Sequence, residues 1–239
     1  MQGNVWPGNC CAQLKAYPRQ YAWHLSYKPT GRRDFGVELG AKTHERGATT
    51  DVQPLPQDTV LLIIDVQKGF DDPSWGDRNN PGAEANISRL LEAWRTANRP
   101  VIHVRHFSRT AASPLHPGRD GSAFKDEAMP WPQEPILSKQ VNSAFIGTDL
   151  ERRLKAYSSG TLVVVGLTTD HCVSTTTRMA ANLGFTPYVI DDATAAFGRV
   201  GHTGEYFPPE LIHAVNLASL HDEFAQVVST ETLLQRLLT

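Results

Sequence analysis

The chain has 239 residues, 40% of them apolar and 20% charged, with a formal net charge of −2. That balance gives no electrostatic reason to expect nucleic acid or an anionic membrane as partner, and no apolar run approaches the ~20 residues that span a bilayer. Three cysteines, with Cys10 and Cys11 adjacent, make no disulfide framework, and no basic-then-apolar leader opens the chain. A soluble, cytoplasmic protein that handles a small molecule is expected.

Residues 1–57 sustain no period of 2 or 3.6, are punctuated by Gly, Pro and Thr, and end in the linker-like "QPLPQ". Seven Lys/Arg against four Asp/Glu give this stretch +3, which leaves −5 for the remainder. It reads as a poorly ordered extension preceding one domain over residues 58–239. Trp6 and Trp23 keep a docked arm as the alternative.

From residue 58 the pattern is regular. "TVLLIIDV" is an apolar run of strand length, as a parallel strand buried on both faces requires. "GAEANISRLLEAWRTANRP" follows as a helix with Ile87, Leu90, Leu91 and Trp94 on one face. Then come the strand "VIHVRHF", an irregular stretch 108–135, the strand "ILSK", the helix "TDLERRLKAYSSG" and the strand "TLVVVG". "CVSTTTRMAANLG" is helical, "TPYVIDD" a strand, "PPELIHAVNLASLHDE" a helix, and "FAQVVS" and "TETLLQRLL" close the series. Strands alternating with helices predict an α/β fold, a three-layer α/β/α sandwich around a mainly parallel sheet of about six strands.

In such sheets ligands bind beyond the carboxyl ends of the strands. Residues that end apolar runs are therefore the candidates: Asp65, Arg105 with His106, Lys139, the stretch after Gly166, and Asp191 with Asp192. Cys172 lies just past a strand, with Thr168, Thr169 and Asp170 as candidate helix N-caps. A cysteine in a first helical turn feels the positive helix end and lies among unpaired N–H groups, which favours a thiolate and supplies donors for an oxyanion. The alternative is a small apolar residue filling a joint. Asp65 would accept the thiol proton and return it to a leaving amine, and Lys139 would hold the aspartate and favour the thiolate.

"LLIIDVQKGF", "LSKQVNSAF" and "VVVGLTTDHCVSTTTRMAANLGF", in that order and spacing, resemble the isochorismatase-like cysteine hydrolases over about residues 58–238. That family includes nicotinamidases, N-carbamoylsarcosine amidase, ureidoacrylate amidohydrolases and streptothricin hydrolase. The resemblance implies a triad of Asp65, Lys139 and Cys172, a cis peptide between Leu167 and Thr168, and an oxyanion hole from the backbone N–H groups of Thr168 and Cys172. Because a cysteine is present, it implies hydrolysis of a C–N bond in a small amide, ureide or lactam through a thioester. It also implies no cofactor, and a homo-oligomer, dimeric or tetrameric. Ether or ester hydrolysis, or a non-catalytic binding module on the same fold, are the alternatives.

Family nicotinamidases bind a metal through an Asp-x-His…His motif after the second strand. The corresponding stretch here has His103, His106 and His116 but lacks the aspartate, so no metal is expected. Gln67, Phe70, Trp75, Phe107, Trp131, Phe145 and His171 fall in loops beside the proposed centre and are the candidate pocket. Asn142, Arg105 and Arg119 are candidate polar contacts. Residues 108–135 form a candidate lid or oligomer contact. "GRVGHTG" does not open a helix after a strand, and no Gly-Lys-Ser/Thr loop exists, which argues against a nucleotide.

Overall fold

A computed structural model describes residues 54–238. The extension expected over residues 1–57 therefore falls, but for its last four residues, outside the described residues.

Six strands form one parallel sheet: β1 (Val60–Ile64), β2 (Val101–His106), β3 (Ile136–Lys139), β4 (Thr161–Leu167), β5 (Thr186–Ala195) and, after a small hairpin, β8 (Gln226–Val228). The order across the sheet is β3-β2-β1-β4-β5-β8, and every adjacent pair is parallel. The hairpin pairs β6 (Arg199–Val200) with β7 (Tyr206–Phe207).

All five residues of β1 and all seven of β4 are buried, so their side chains feed cores on both faces of the sheet. Leu62, Ile64, Leu162 and Val164 enter one core with Leu150 and Leu154 of α2 (Leu150–Leu154), Ala180 of α3 (Ser174–Asn182), and Leu217 and Leu220 of α4 (Pro209–Leu220). Leu61, Ile63, Val163 and Val165 enter the other. There they meet Ile87, Leu90, Leu91 and Trp94 of α1 (Ala83–Thr96) and Leu233 of α5 (Thr230–Leu238). Each such buried aliphatic side chain contributes about 1.5–3 kcal/mol of transfer free energy. The result is a sheet between two helical layers. Among the described residues no helix is long and apolar enough to cross a membrane.

Two elements differ from their sequence expectation. The helix read over 148–160 is five residues long, with Leu150 and Leu154 as its buried residues. It then tightens into i→i+3 turns at Ala156 and Tyr157 and runs out at Gly160, whose φ is +61°. The helix expected to begin at about residue 170 begins instead at Ser174, after a wide π-helical turn over Thr169–Val173. Neither element has a side-chain cap, so Thr168, Thr169 and Asp170 do not cap as read. The irregular stretch 108–135 is fastened to the loop after β1: Lys125 N–H donates to Val66, Lys68 N–H donates to Ala123, and Gln67 bridges Phe124.

Candidate active site

The strand order reverses between β1 and β4, and an open α/β sheet makes a crevice at that point, beyond the strands' carboxyl ends. The two ends approach closely because residue 166 is glycine. Its φ is +118°, and a Cβ there would lie 1.9 Å from the Ile64 carbonyl oxygen. Just beyond, the peptide between Leu167 and Thr168 is cis, and the Thr168 carbonyl accepts from the N–H groups of both His171 and Val173. This turn carries Cys172.

Asp65 is the first residue past β1 and adopts a φ of +54°, in the left-handed region that aspartate tolerates better than most residues. Lys139 ends β3, two strands away. That gap is roughly 10 Å at the usual strand spacing, so a long side chain is needed to close it. Lys139 Nζ donates to Asp65 Oδ2 at 2.5 Å and to Cys172 Sγ at 3.1 Å. Asp65 and Lys139 are essentially inaccessible, whereas Cys172 keeps 7% exposure.

Electrostatics follow from that burial. Desolvation raises the Asp65 pKa above the ordinary carboxylate value, and the facing ammonium opposes it. Burial also raises the Cys172 thiol, reinforced by the Asp65 charge and opposed by Lys139. Burial disfavours charge on Lys139, yet Asp65 and Cys172 outweigh it and hold the lysine above its ordinary value. Carboxyl, ammonium and thiol are thus joined through Lys139 Nζ, with burial acting against charge on each of them. Cys172 lies in the π-helical turn rather than in the first turn of α3, and burial there works against the thiolate that the sequence reading expected of a helix start.

The other candidates separate. Asn142 Oδ1 lies 3.8 Å from Cys172 Sγ, and Phe145 shares a core with Cys172 and stacks on Phe185. Phe70 and Trp75 form an aromatic group with Phe197 that also contains Leu167, next to the cis peptide. The Phe107 ring lies under the Arg105 guanidinium, and its N–H donates to the Lys139 carbonyl. His171 is an exposed side chain beside Asp170 and Arg199. Arg119 lines a surface cleft with Lys68, Asp71 and Asp72, a cleft lined by none of Asp65, Lys139 and Cys172.

Two candidates do not fit a pocket. Gln67 is fully buried, and its amide is spent on the backbone N–H and carbonyl of His106 and on the Ser122 carbonyl. Trp131 covers Arg95 in the last turn of α1. That turn leads into the start of β2, at the end of the strands opposite Asp65, Lys139 and Cys172.

The three histidines also part. His103 Nε2 donates to Glu134 at 2.9 Å on the far face, His116 lies in the 108–135 stretch, and His106 lies against Lys139 Nζ. Among the described residues, the one group with metal-ligand character is Asp65, His106 and Cys172, whose donor atoms lie within 4.8 Å of each other. The Lys139 ammonium already hydrogen-bonds to all three.

Sequence reasoning missed a second buried network behind the turn. Thr169 Oγ1 meets His213 Nδ1 at 2.9 Å, and His213 Nε2 lies 3.3 Å from the Asn80 amide, which donates to the Asp191 and Thr194 carbonyls. These residues are spread over 134 positions and share no local pattern that could have linked them.

A family model described as the isochorismatase domain matches residues 59–232. The chain belongs to the isochorismatase family of hydrolases. The Bacillus subtilis isochorismatase family protein YrdC is 51% identical over 175 residues, 73% of this chain and 94% of that relative. An isochorismatase-family crystal structure from Chromobacterium violaceum is 42% identical with a TM-score of 0.75, covering 77% of this chain and 96% of its own. More distantly, the maleamate amidohydrolase of Pseudomonas putida is 25% identical over 195 residues, 74% of this chain and 86% of that relative.

Proposed function

We propose that this isochorismatase-family hydrolase cleaves the C–N bond of a small amide, ureide or lactam, with Cys172 as nucleophile. The observation that carries the reading is the Lys139 ammonium, which lies 2.5 Å from Asp65 and 3.1 Å from Cys172 Sγ in a buried group. The amidohydrolase relative supports the reaction class. Asp65, a stronger base for being buried, takes the thiol proton as sulfur attacks the carbonyl carbon. The carbonyl π electrons move to oxygen, and the backbone N–H groups of Thr168 and Cys172 receive that oxyanion. Collapse of the tetrahedral intermediate breaks the C–N bond as Asp65 returns the proton to nitrogen, leaving a thioester and a free amine or ammonia. Water then attacks the thioester with Asp65 as base again, releasing the acid and restoring the thiol. Lys139 stays charged throughout and compensates whichever partner is anionic.

The reading is tested by product release over a panel of amides, ureas and lactams, with Cys172→Ala as control and mass spectrometry of the trapped enzyme. Release of amine or ammonia by the wild type, at least 10³-fold slower in the variant, and an acyl adduct on Cys172 are expected. Full turnover by Cys172→Ala overturns it. Product without amine or ammonia would instead mean ether or ester cleavage. Thermal stabilisation by a ligand that is never turned over would mean a binding module.

A further inference from the structure

We infer that His106 is a fourth member of the catalytic group, a positioning residue that fixes the Lys139 ammonium. The inference rests on reading Cys172 as the nucleophile, and it begins from counting donors. An ammonium has three N–H bonds and no acceptor. Lys139 is buried, so each unpaired N–H would carry a desolvation cost. Two go to Asp65 and Cys172, and the third finds His106 Nδ1 at 3.2 Å.

Because the lysine can only donate, Nδ1 must be the bare nitrogen, which assigns the ring proton to Nε2. A charged imidazolium would lose this acceptor and set a second cation against the first. Burial and the Lys139 charge both lower the His106 pKa, while Asp65 opposes them.

The ring is held from behind. His106 ends β2 directly opposite Lys139 in the parallel register. Gln67 accepts from the His106 N–H at 2.7 Å and donates to its carbonyl at 3.1 Å, as a strand would. Gln67, read from sequence as a substrate contact, thus acts two steps removed: it holds His106, and His106 aims the lysine.

The test needs no substrate. Iodoacetamide alkylation of Cys172 in the full chain is followed by mass spectrometry across pH for the wild type and for H106L, H106N and H106Q, with thermal melting of each. Asn carries its amide oxygen near the place of Nδ1, whereas Gln carries it near that of Nε2. H106L is expected to alkylate about tenfold more slowly at neutral pH, with its midpoint about one unit higher, the loss of one hydrogen bond to a charged group. H106N is expected to recover most of the wild-type rate and midpoint, and H106Q is not. A wild-type profile for H106L overturns the proposal. So does an H106N as slow as H106L, or, should H106L fail to fold, an H106Q indistinguishable from H106N. Alkylation reads the thiol whatever the substrate, so failure of the proposed amide chemistry would not be mistaken for failure here.

Discussion

At the scale of residues, the group at the strand ends is a balance of charges that water does not help. Removing Lys139 leaves the Asp65 carboxylate buried without a partner, which costs about 3–5 kcal/mol where such pairs have been broken. Lys139→Met is therefore expected to melt well below wild type and to lose turnover at least a hundredfold. Adding Asp65→Asn removes the stranded charge, so the double variant should regain most of the melting temperature by calorimetry while staying inactive. A double variant that melted as low as Lys139→Met would show that the stranded charge is not the cause. Asp65 and Lys139 were legible in the sequence because each ends a strand-like run with an ionisable group, and Cys172 because it follows a strand at what reads as a helix start. His106 was visible as a strand-end residue, but its place opposite Lys139 was not, since that depends on the register of β2 against β3. Gln67 and Trp131 misled because nearness in sequence says nothing of which way a side chain turns.

Elements bring these residues together, and one contact between elements is unforgiving. β4 meets the end of β1 at Gly166, where any Cβ would strike backbone at 1.9 Å with a φ of +118°. Gly166→Ala is expected to cost several kcal/mol, with loss of soluble, cooperatively melting protein. Gly147→Ala, at a φ of +74° but in open space, is expected to cost only about 1 kcal/mol. Comparable melting of the two variants would refute the account of the crevice. The strands were legible because parallel strands buried on both faces leave continuous apolar runs. The π-helical turn over Thr169–Val173 was not, because its sequence reads as the start of an ordinary helix. It is set by the Thr168 carbonyl accepting two N–H groups, a tertiary outcome that periodicity does not encode.

For the whole molecule, one charged cluster links segments far apart in sequence. Glu84, near the start of α1, accepts from Arg78 and from Lys125, which also pairs with Asp71. Burial alone would raise the Glu84 pKa, yet these two cations hold it down to about 2 from an ordinary 4.5. A lowered pKa stabilises the fold above the unfolded value and loses that contribution as pH falls through the folded one. About 3 kcal/mol should therefore be present above pH ~4.5 and decline toward pH ~2. Denaturant titrations over that range should show Glu84→Gln destabilised at neutral pH but close to wild type near pH 2. A gap independent of pH would place the glutamate's role elsewhere. The three-layer arrangement itself was legible from alternation and run length. Which helices cover which face was not, because that depends on crossovers between distant strands.

The double burial of β1 and β4 bears on how such a protein can change over time. Their side chains complete both cores at once, so neither layer can loosen without the other, and the ends that hold the reacting groups are fixed as firmly as the fold. The loops beyond those ends are packed in part as well, with Gln67, Phe70, Leu115, Phe124 and Phe145 buried and His171 and Ile146 exposed. Substitutions that the fold tolerates should therefore fall at such exposed loop positions rather than at the strand ends themselves.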